Sequence, residues 1–239
     1  ETHFPERCQC QFKSEKPMRV VILNQYYAPD VASSGHLLFE LAEEIAALGA
    51  DTSVITCRPS YGPPESWQPC PRKETKNGVK TLRMNATRFS KDSLVGRLVN
   101  IVSFMIPLTL FHVLPKRKGR VFLYTTNPPF LGFVGGFTSL VFKHKYAVLL
   151  HDSYPEIGVW LGKIKSGGII DRVWQWCNKI MYRRAKQVIV LSHAAKDLVV
   201  NQYGPDPERV HVIPNWADPN DLTPKPKSES NFAQKYDLL

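Results

Sequence analysis

Short apolar runs without alternation are the feature that most restricts what this chain can become. Val20-Val21-Ile22-Leu23, Val121-Phe122-Leu123-Tyr124, Ala147-Val148-Leu149-Leu150 and Val188-Ile189-Val190-Leu191 each break off abruptly into polar or turn-forming residues. A strand that is apolar on both faces is buried on both, as in a parallel sheet covered by helices. Helical patterns lie between the runs. Leu37, Leu38, Leu41, Ile45 and Leu48 share a helical spacing that stops at Gly49, a helix C-terminal signal. Further helices are expected over Leu131 to Phe142, from about Ile169 to Ala185, and from Ser192-His193 to Tyr203. Strands alternate with helices and no internal repeat is present. The class is therefore α/β, a mostly parallel sheet with helices on both faces and right-handed crossovers.

Expected strands are 19–25, 51–57, 79–85, 121–124, 147–150, 188–191 and 209–213. The third is entered through the Asn77-Gly78 turn signal. Arg58 to Lys76 reads as a long connection rich in proline and polar residues, whose Ser60-Tyr61-Gly62 is a candidate loop over a site. Residues 1–17 are polar and unpatterned and read as an extension outside the fold. Residues 18–218 form the domain. Residues 219–239 read as a linker and the start of another helix. Cys8, Cys10, Cys57, Cys70 and Cys177 are odd in number and scattered, without the spacing of a zinc site. A reduced, cytosolic setting is expected.

Ligands of an open parallel sheet bind outside the carboxyl ends of its strands. The run 147–150 ends there in His151-Asp152-Ser153-Tyr154-Pro155-Glu156, which puts an imidazole and two carboxylates at such an edge. An ordinary Asp/Pro turn is the competing reading. After the first strand, Ser33-Ser34-Gly35 opens a helix. Free amides there favour phosphate, while a serine-rich helix cap explains the same residues without a ligand. Neither G-x-G-x-x-G nor a Walker pattern is present. Ser192 and His193 stand at another strand end, where Ser192 is also a plausible N-cap.

Lys+Arg 31 against Asp+Glu 21 gives net +10, a balance that favours anionic partners. The greasiest segment, Leu94 to Leu114, is bracketed by Arg88, Lys91, Arg97, Lys116, Arg117, Lys118 and Arg120. It falls short of the roughly 20 uninterrupted apolar residues that span a bilayer. A buried core helix and an interfacial helix on an anionic leaflet remain as readings. Basic residues bracket an apolar helix rather than interleaving with aromatics, so nucleic acid is not an expected partner.

Taken in order, several segments resemble one family. They are Asn24 to Asp30 with Gly35, Thr56 to Tyr61, Thr125 to Pro129, Asp152 to Glu156 with Leu161-Gly162, Tyr182 to Ala185, Val188 to Ser192 and Val212 to Asp218. The series resembles the N-terminal half of a family-4 glycosyltransferase with the two-domain, Rossmann-like GT-B fold. The nearest type is the bacterial branch that builds surface polysaccharide on lipid carriers. The resemblance implies an acceptor-side domain whose complete enzyme uses a nucleotide-sugar donor, retains anomeric configuration and requires no metal. It implies that Ser34 and Gly35 face the donor diphosphate and that Asp152, with His151, sits at the reacting sugar. Tyr61, Asn127, Tyr154, Glu156, Ser192 and His193 would line the cleft, Tyr154 and Glu156 chiefly by shaping the turn. Asn215 and Asp218 would mark the hinge. It also implies a lipid-linked or saccharide acceptor and a peripheral position on the inner face of the cytoplasmic membrane. The glutamate pair of a donor-binding domain has no place in this sequence. A non-catalytic anchoring subunit paired with a separate donor-binding chain is therefore the alternative expectation.

Overall fold

The computed structural model describes residues 17–30, 32–89, 93–113, 119–217 and 226–237. Expectations for residues 1–16, Lys91, Lys116-Arg117-Lys118, Asp218 and the 219–225 linker lie outside these. In chain order the elements are β1 (Arg19–Leu23), α1 (Ser33–Ala47), β2 (Asp51–Cys57), β3 (Lys73–Lys76), β4 (Val79–Met84), α2 (Leu94–Val113), β5 (Arg120–Thr125) and α3 (Leu131–Phe142). There follow β6 (Lys145–Leu150), α4 (Glu156–Trp160), α5 (Ile169–Arg184), β7 (Gln187–Val190), α6 (His193–Tyr203), β8 (Val210–Val212) and the short α7 (Asn231–Lys235).

The strands form one sheet in the order β3-β4-β2-β1-β5-β6-β7-β8. Every neighbouring pair is parallel except β3 and β4. Strand β3 corrects the expectation of an unstructured Arg58–Lys76 connection. Its Lys-Glu-Thr-Lys sequence carries no apolar signal because it is an exposed edge strand, where charge discourages pairing with other chains. Asn77 and Gly78 both take positive φ, 49° and 78°, as a two-residue hairpin turn requires.

Two cores sandwich the sheet. Alternate residues of β1 point opposite ways: Val20 and Ile22 pack with Leu38 and Ala42 of α1, whereas Val21 and Leu23 face the other side. There α2, α3, α5 and α6 contribute Phe104, Leu108, Leu131, Met181 and Tyr203. Helix α3 lies unusually close to its neighbours. A Cβ on Gly135 would stand 2.6 Å from the Tyr124 ring, and one on Gly136 would stand 3.2 Å from the Met181 Cα.

The chain leaves β1 toward β2 and β4, then crosses back to β5 on β1's other side and continues outward to β8. The carboxyl ends of β1 and β5 therefore flank the point where strand order reverses, the crevice position of open α/β sheets.

Candidate functional site

The reversal point is laced shut at its base by side chains that bond to backbone. The fully buried Asn24 follows β1. Its carboxamide oxygen accepts from the Thr125 hydroxyl at 2.6 Å. The Gln25 N–H donates to the Asn127 carbonyl at 2.9 Å, and the Gln25 carbonyl accepts from the Thr56 hydroxyl at 3.0 Å. These bonds tie the ends of β1, β2 and β5 into one floor.

Helix α1 rises from that floor. Its N-cap is Ala32, which has no side-chain acceptor. Ser33 and Ser34 already lie in the first turn, so the serine-cap reading is not realised here. The Ser34 hydroxyl accepts instead from the Asn127 carboxamide at 3.2 Å. Gly35 is buried, and a Cβ on it would come within 3.3 Å of the Tyr26 carbonyl and the Tyr27 nitrogen. The absent side chain thus lets the helix start rest directly on the backbone of the loop after β1.

One wall is the β6 turn. The Thr126 hydroxyl accepts from the backbone N–H groups of both His151 and Asp152, each at 3.1 Å. It fixes the backbone from which an exposed Asp152 carboxylate and a half-buried His151 ring project. Burial holds the His151 imidazole below its ordinary pKa, with the nearby Asp152 charge partly opposing. Burial therefore favours the neutral form of the His151 ring. Tyr154 stacks on Trp174 at 5.7 Å and 19°, and burial raises its hydroxyl pKa, followed by the Asp152 charge, with Arg97 opposing. Glu156 turns away from the cleft: one carboxylate oxygen accepts from the Tyr203 hydroxyl and from Gln202.

The opposite wall is the β2 loop. The buried Asp30 carboxylate accepts from the Ser60 and Tyr61 N–H groups, each at 3.0 Å. The exposed Tyr61 ring meets Tyr26 edge-on at 5.3 Å. Burial pushes the Tyr26 hydroxyl up to about 12, with Arg97 opposing. Ser192 caps α6 by accepting from the Ala195 N–H at 3.2 Å, and His193 beside it is exposed. Asn215 is exposed; its neighbour Trp216 donates to Glu40 of α1 at 2.7 Å. Among the described residues no group of three or more His, Cys, Asp or Glu side chains could hold a metal ion.

Residues 35–216 match the glycosyl transferase 4-like domain. The chain belongs to that family. A probable glycosyltransferase of Pseudomonas aeruginosa, WbjE, is 28% identical over 116 residues, covering 48% of this chain and 29% of the relative. Among solved structures, sucrose-phosphate synthase of Thermosynechococcus elongatus superposes with a TM-score of 0.61 at 17% identity, over 92% of this chain and 52% of that one. Anabaena HepE in complex with UDP-glucose gives 0.54 at 16% identity, over 92% and 50%. At such identities the likeness speaks for fold: this is the Rossmann-like, N-terminal type of half found in GT-B glycosyltransferases. The chain spans about half of these enzymes and less than a third of WbjE.

The glycosyltransferase domain thus brings Ser34, Gly35, Asn127, His151, Asp152 and Tyr154 to one stretch of sheet edge around β1, β5 and β6. Ser192 and His193 follow β7, farther along the edge. Three residues at the site escape sequence reasoning as site residues. Thr126 and Asp30 work through neighbours supplied by other strands. Arg97 is legible only as one of the cations before α2.

Proposed function

We propose that this chain is the acceptor-side domain of a glycosyltransferase whose complete form moves a sugar from a nucleotide-sugar donor to a hydroxyl of a lipid-linked acceptor in surface polysaccharide synthesis, with retention and without a metal. The observation that carries this reading is the exposed Asp152 carboxylate at the strand-order reversal, on a backbone held by the Thr126 hydroxyl. Asp152 accepts a hydrogen bond from a sugar hydroxyl there, and a positioned carboxylate of this kind contributes about 10²–10⁴-fold to proton transfer. In its favoured neutral form His151 offers a second hydrogen-bonding group without adding charge. The start of α1, which lacks a side-chain cap, supports a role for the amides near Ser34 toward the donor diphosphate. That HepE was solved with UDP-glucose supports a uridine-diphosphate sugar as the first donor to try. An apolar groove of about 410 Å³ along α2, lined by Leu98, Val102, Ile106, Leu110 and Phe130 among others, supports a lipid-linked acceptor and work at a membrane surface.

The test is a transfer assay on the enzyme completed with its donor-binding half. Labelled nucleotide sugars are offered with prenyl-diphosphate-linked and with free saccharide acceptors. Transfer to the lipid-linked acceptor is expected, with kcat for Asp152→Asn down by about 10²-fold or more. Unchanged kcat in that variant removes Asp152 from the chemistry. Transfer to free saccharides alone removes the lipid-linked acceptor.

A further inference from the structure

Helices α2, α3 and α5 lie side by side on one face of the sheet, and their outward ridges are apolar. On α2 the ridge is Val95, Val99, Val102, Ile106 and Leu110, with Val95 and Leu110 exposed to 71% and 62%. A helix that is apolar toward solvent as well as toward its core is not the pattern of an ordinary surface helix. The ridge of α3 continues it with Phe137 and Val141, the latter 73% exposed. That of α5 adds Val173 and Trp176. The α3 and α5 ridges are continuous, since the Phe137 and Trp176 rings meet at 5.8 Å. Exposed apolar surface on this scale marks an interaction site.

Charge on this face selects the partner. The chain carries Asp+Glu 21, yet these three helices hold a single carboxylate, Asp171, which is 3% exposed. It is spent on the Gly167 N–H and the Gln175 side chain. Arg172, Lys179 and Arg183 of α5 stand exposed among the apolar ridges. We propose that the outward face of α2, α3 and α5 is a docking plane for an anionic lipid bilayer. This goes beyond α2 as the contact and rests on the reading that the domain works at a membrane; it does not rest on which acceptor is used.

A bilayer fits this face better than a second copy does. A two-fold interface with its axis at α5 would set the α5 cations of one chain against the same cations of the other. Anionic headgroups instead neutralise them, while the ridges and Trp176 enter the interfacial layer. None of the described helices is long and apolar enough to cross, so the plane lies on the surface. The helices run back from the carboxyl edge of the sheet, which leaves the cleft at one margin of the plane.

The test is flotation of the 239-residue chain with phosphatidylcholine vesicles, with and without phosphatidylglycerol, at low and high salt. Three exposed-site pairs are compared: Ile106→Ser with Leu110→Ser, Val141→Ser with Trp176→Ser, and Arg172→Gln with Lys179→Gln. Binding is expected only with the anionic lipid. Each apolar pair should weaken it, and the charge pair should weaken it about 25-fold, from about fivefold per cation at the surface. Hydrogen exchange on wild-type protein bound to vesicles, which needs no variant, should show protection in α2, α3 and α5 together. Unaltered binding by the Val141/Trp176 pair, with protection confined to α2, overturns the plane. So does a wild-type chain that ignores anionic vesicles and sediments as a dimer broken by these substitutions. Vesicle binding without sugar transfer would count against the enzyme reading alone, and transfer without vesicle binding against this one alone.

Discussion

The turn that carries Asp152 is fastened from below, and that fastening can be measured. Tyr203, 2% exposed, closes α6 against the core and packs its ring on Tyr182 at 5.2 Å. Its hydroxyl donates to Glu156 and accepts from the Asn178 carboxamide at 3.0 Å. The same Asn178 group reaches the Tyr154 carbonyl at 2.6 Å. Tyr203→Phe keeps the ring and deletes only the hydroxyl. A hydrogen bond to a charged acceptor contributes about 1.5–3 kcal/mol, so urea unfolding followed by tryptophan fluorescence should show a loss of about 2 kcal/mol. Glu156→Gln should cost less. Its second oxygen is buried without a partner, so removing the charge also removes a desolvation penalty. If the two side chains act as one unit, the double variant will be more stable than the summed single losses imply, by about 1 kcal/mol. Additivity within about 0.3–0.5 kcal/mol, the behaviour of independent sites, would refute the coupling. The turn's hold on Asp152 would then rest on Thr126 and on the Asn178 bond to the Tyr154 carbonyl.

Other expectations follow from the same geometry. Gly135→Ala forces a methyl into the Tyr124 ring, a clash of the kind that costs about 1–3 kcal/mol in a packed core. The better helix propensity of alanine returns at most about 1 kcal/mol, so thermal unfolding should register a net loss. His144 and His151 are both held below their ordinary pKa by burial. Below about pH 6.5 the unfolded chain therefore binds protons that the folded chain refuses, and stability falls as pH falls, by up to about 1.4 kcal/mol per unit for each ring. Chemical denaturation from neutral pH to about 5.5 should show this slope, and His144→Gln should lessen it. Asp30→Ala strands the Ser60 and Tyr61 amides, at about 1–3 kcal/mol for a buried unpaired donor. In the complete enzyme it should raise KM for the acceptor more than it lowers kcat, and an unchanged KM would detach Tyr61 from acceptor binding.

Much of the fold is legible because burial on both faces leaves a strong mark. Strand β2 spans Asp51–Cys57 and helix α3 spans Leu131–Phe142, as their patterns lead one to expect. Strands β5 and β6 begin before their apolar runs, at Arg120 and Lys145, since sheet pairing does not need an apolar side chain at the strand start. Strand β3 leaves no apolar mark at all. Only the Asn77-Gly78 turn betrays it, and a hairpin turn implies a strand on each side. Reading that turn as an entrance to β4 alone uses half of its information. In helix α5 the buried positions are Asp171, Asn178, Met181 and Tyr182, so polar side chains with internal partners share the inner surface with apolar ones.

The site divides along the same line. Asp152 and His151 are visible in sequence because a buried strand ends in them, and that is a local fact. What holds them is not local. Thr126 reaches them only through the β5–β6 register, which sets Thr125 opposite Leu149, and Asp30 grips a loop 30 residues away. Hydroxyl and carboxylate side chains that bond to backbone elsewhere carry no spacing that a sequence can display. Glu156 is the informative intermediate. Its place in the turn is legible, but its partner Tyr203 lies 47 positions on. The exposed ridges of α2, α3 and α5 behave in the opposite way. Their apolar residues are plain in the sequence, and the ordinary inference from an apolar helix is burial. Only the packing of α3 against both neighbours shows which apolar residues the core leaves over. Those left over sit on helices whose single carboxylate is turned inward. A face that is apolar, basic and free of acid is costly to leave in water and stabilised against anionic lipid. The same helices therefore serve the core with one side and, in the docking plane proposed above, offer the membrane the other.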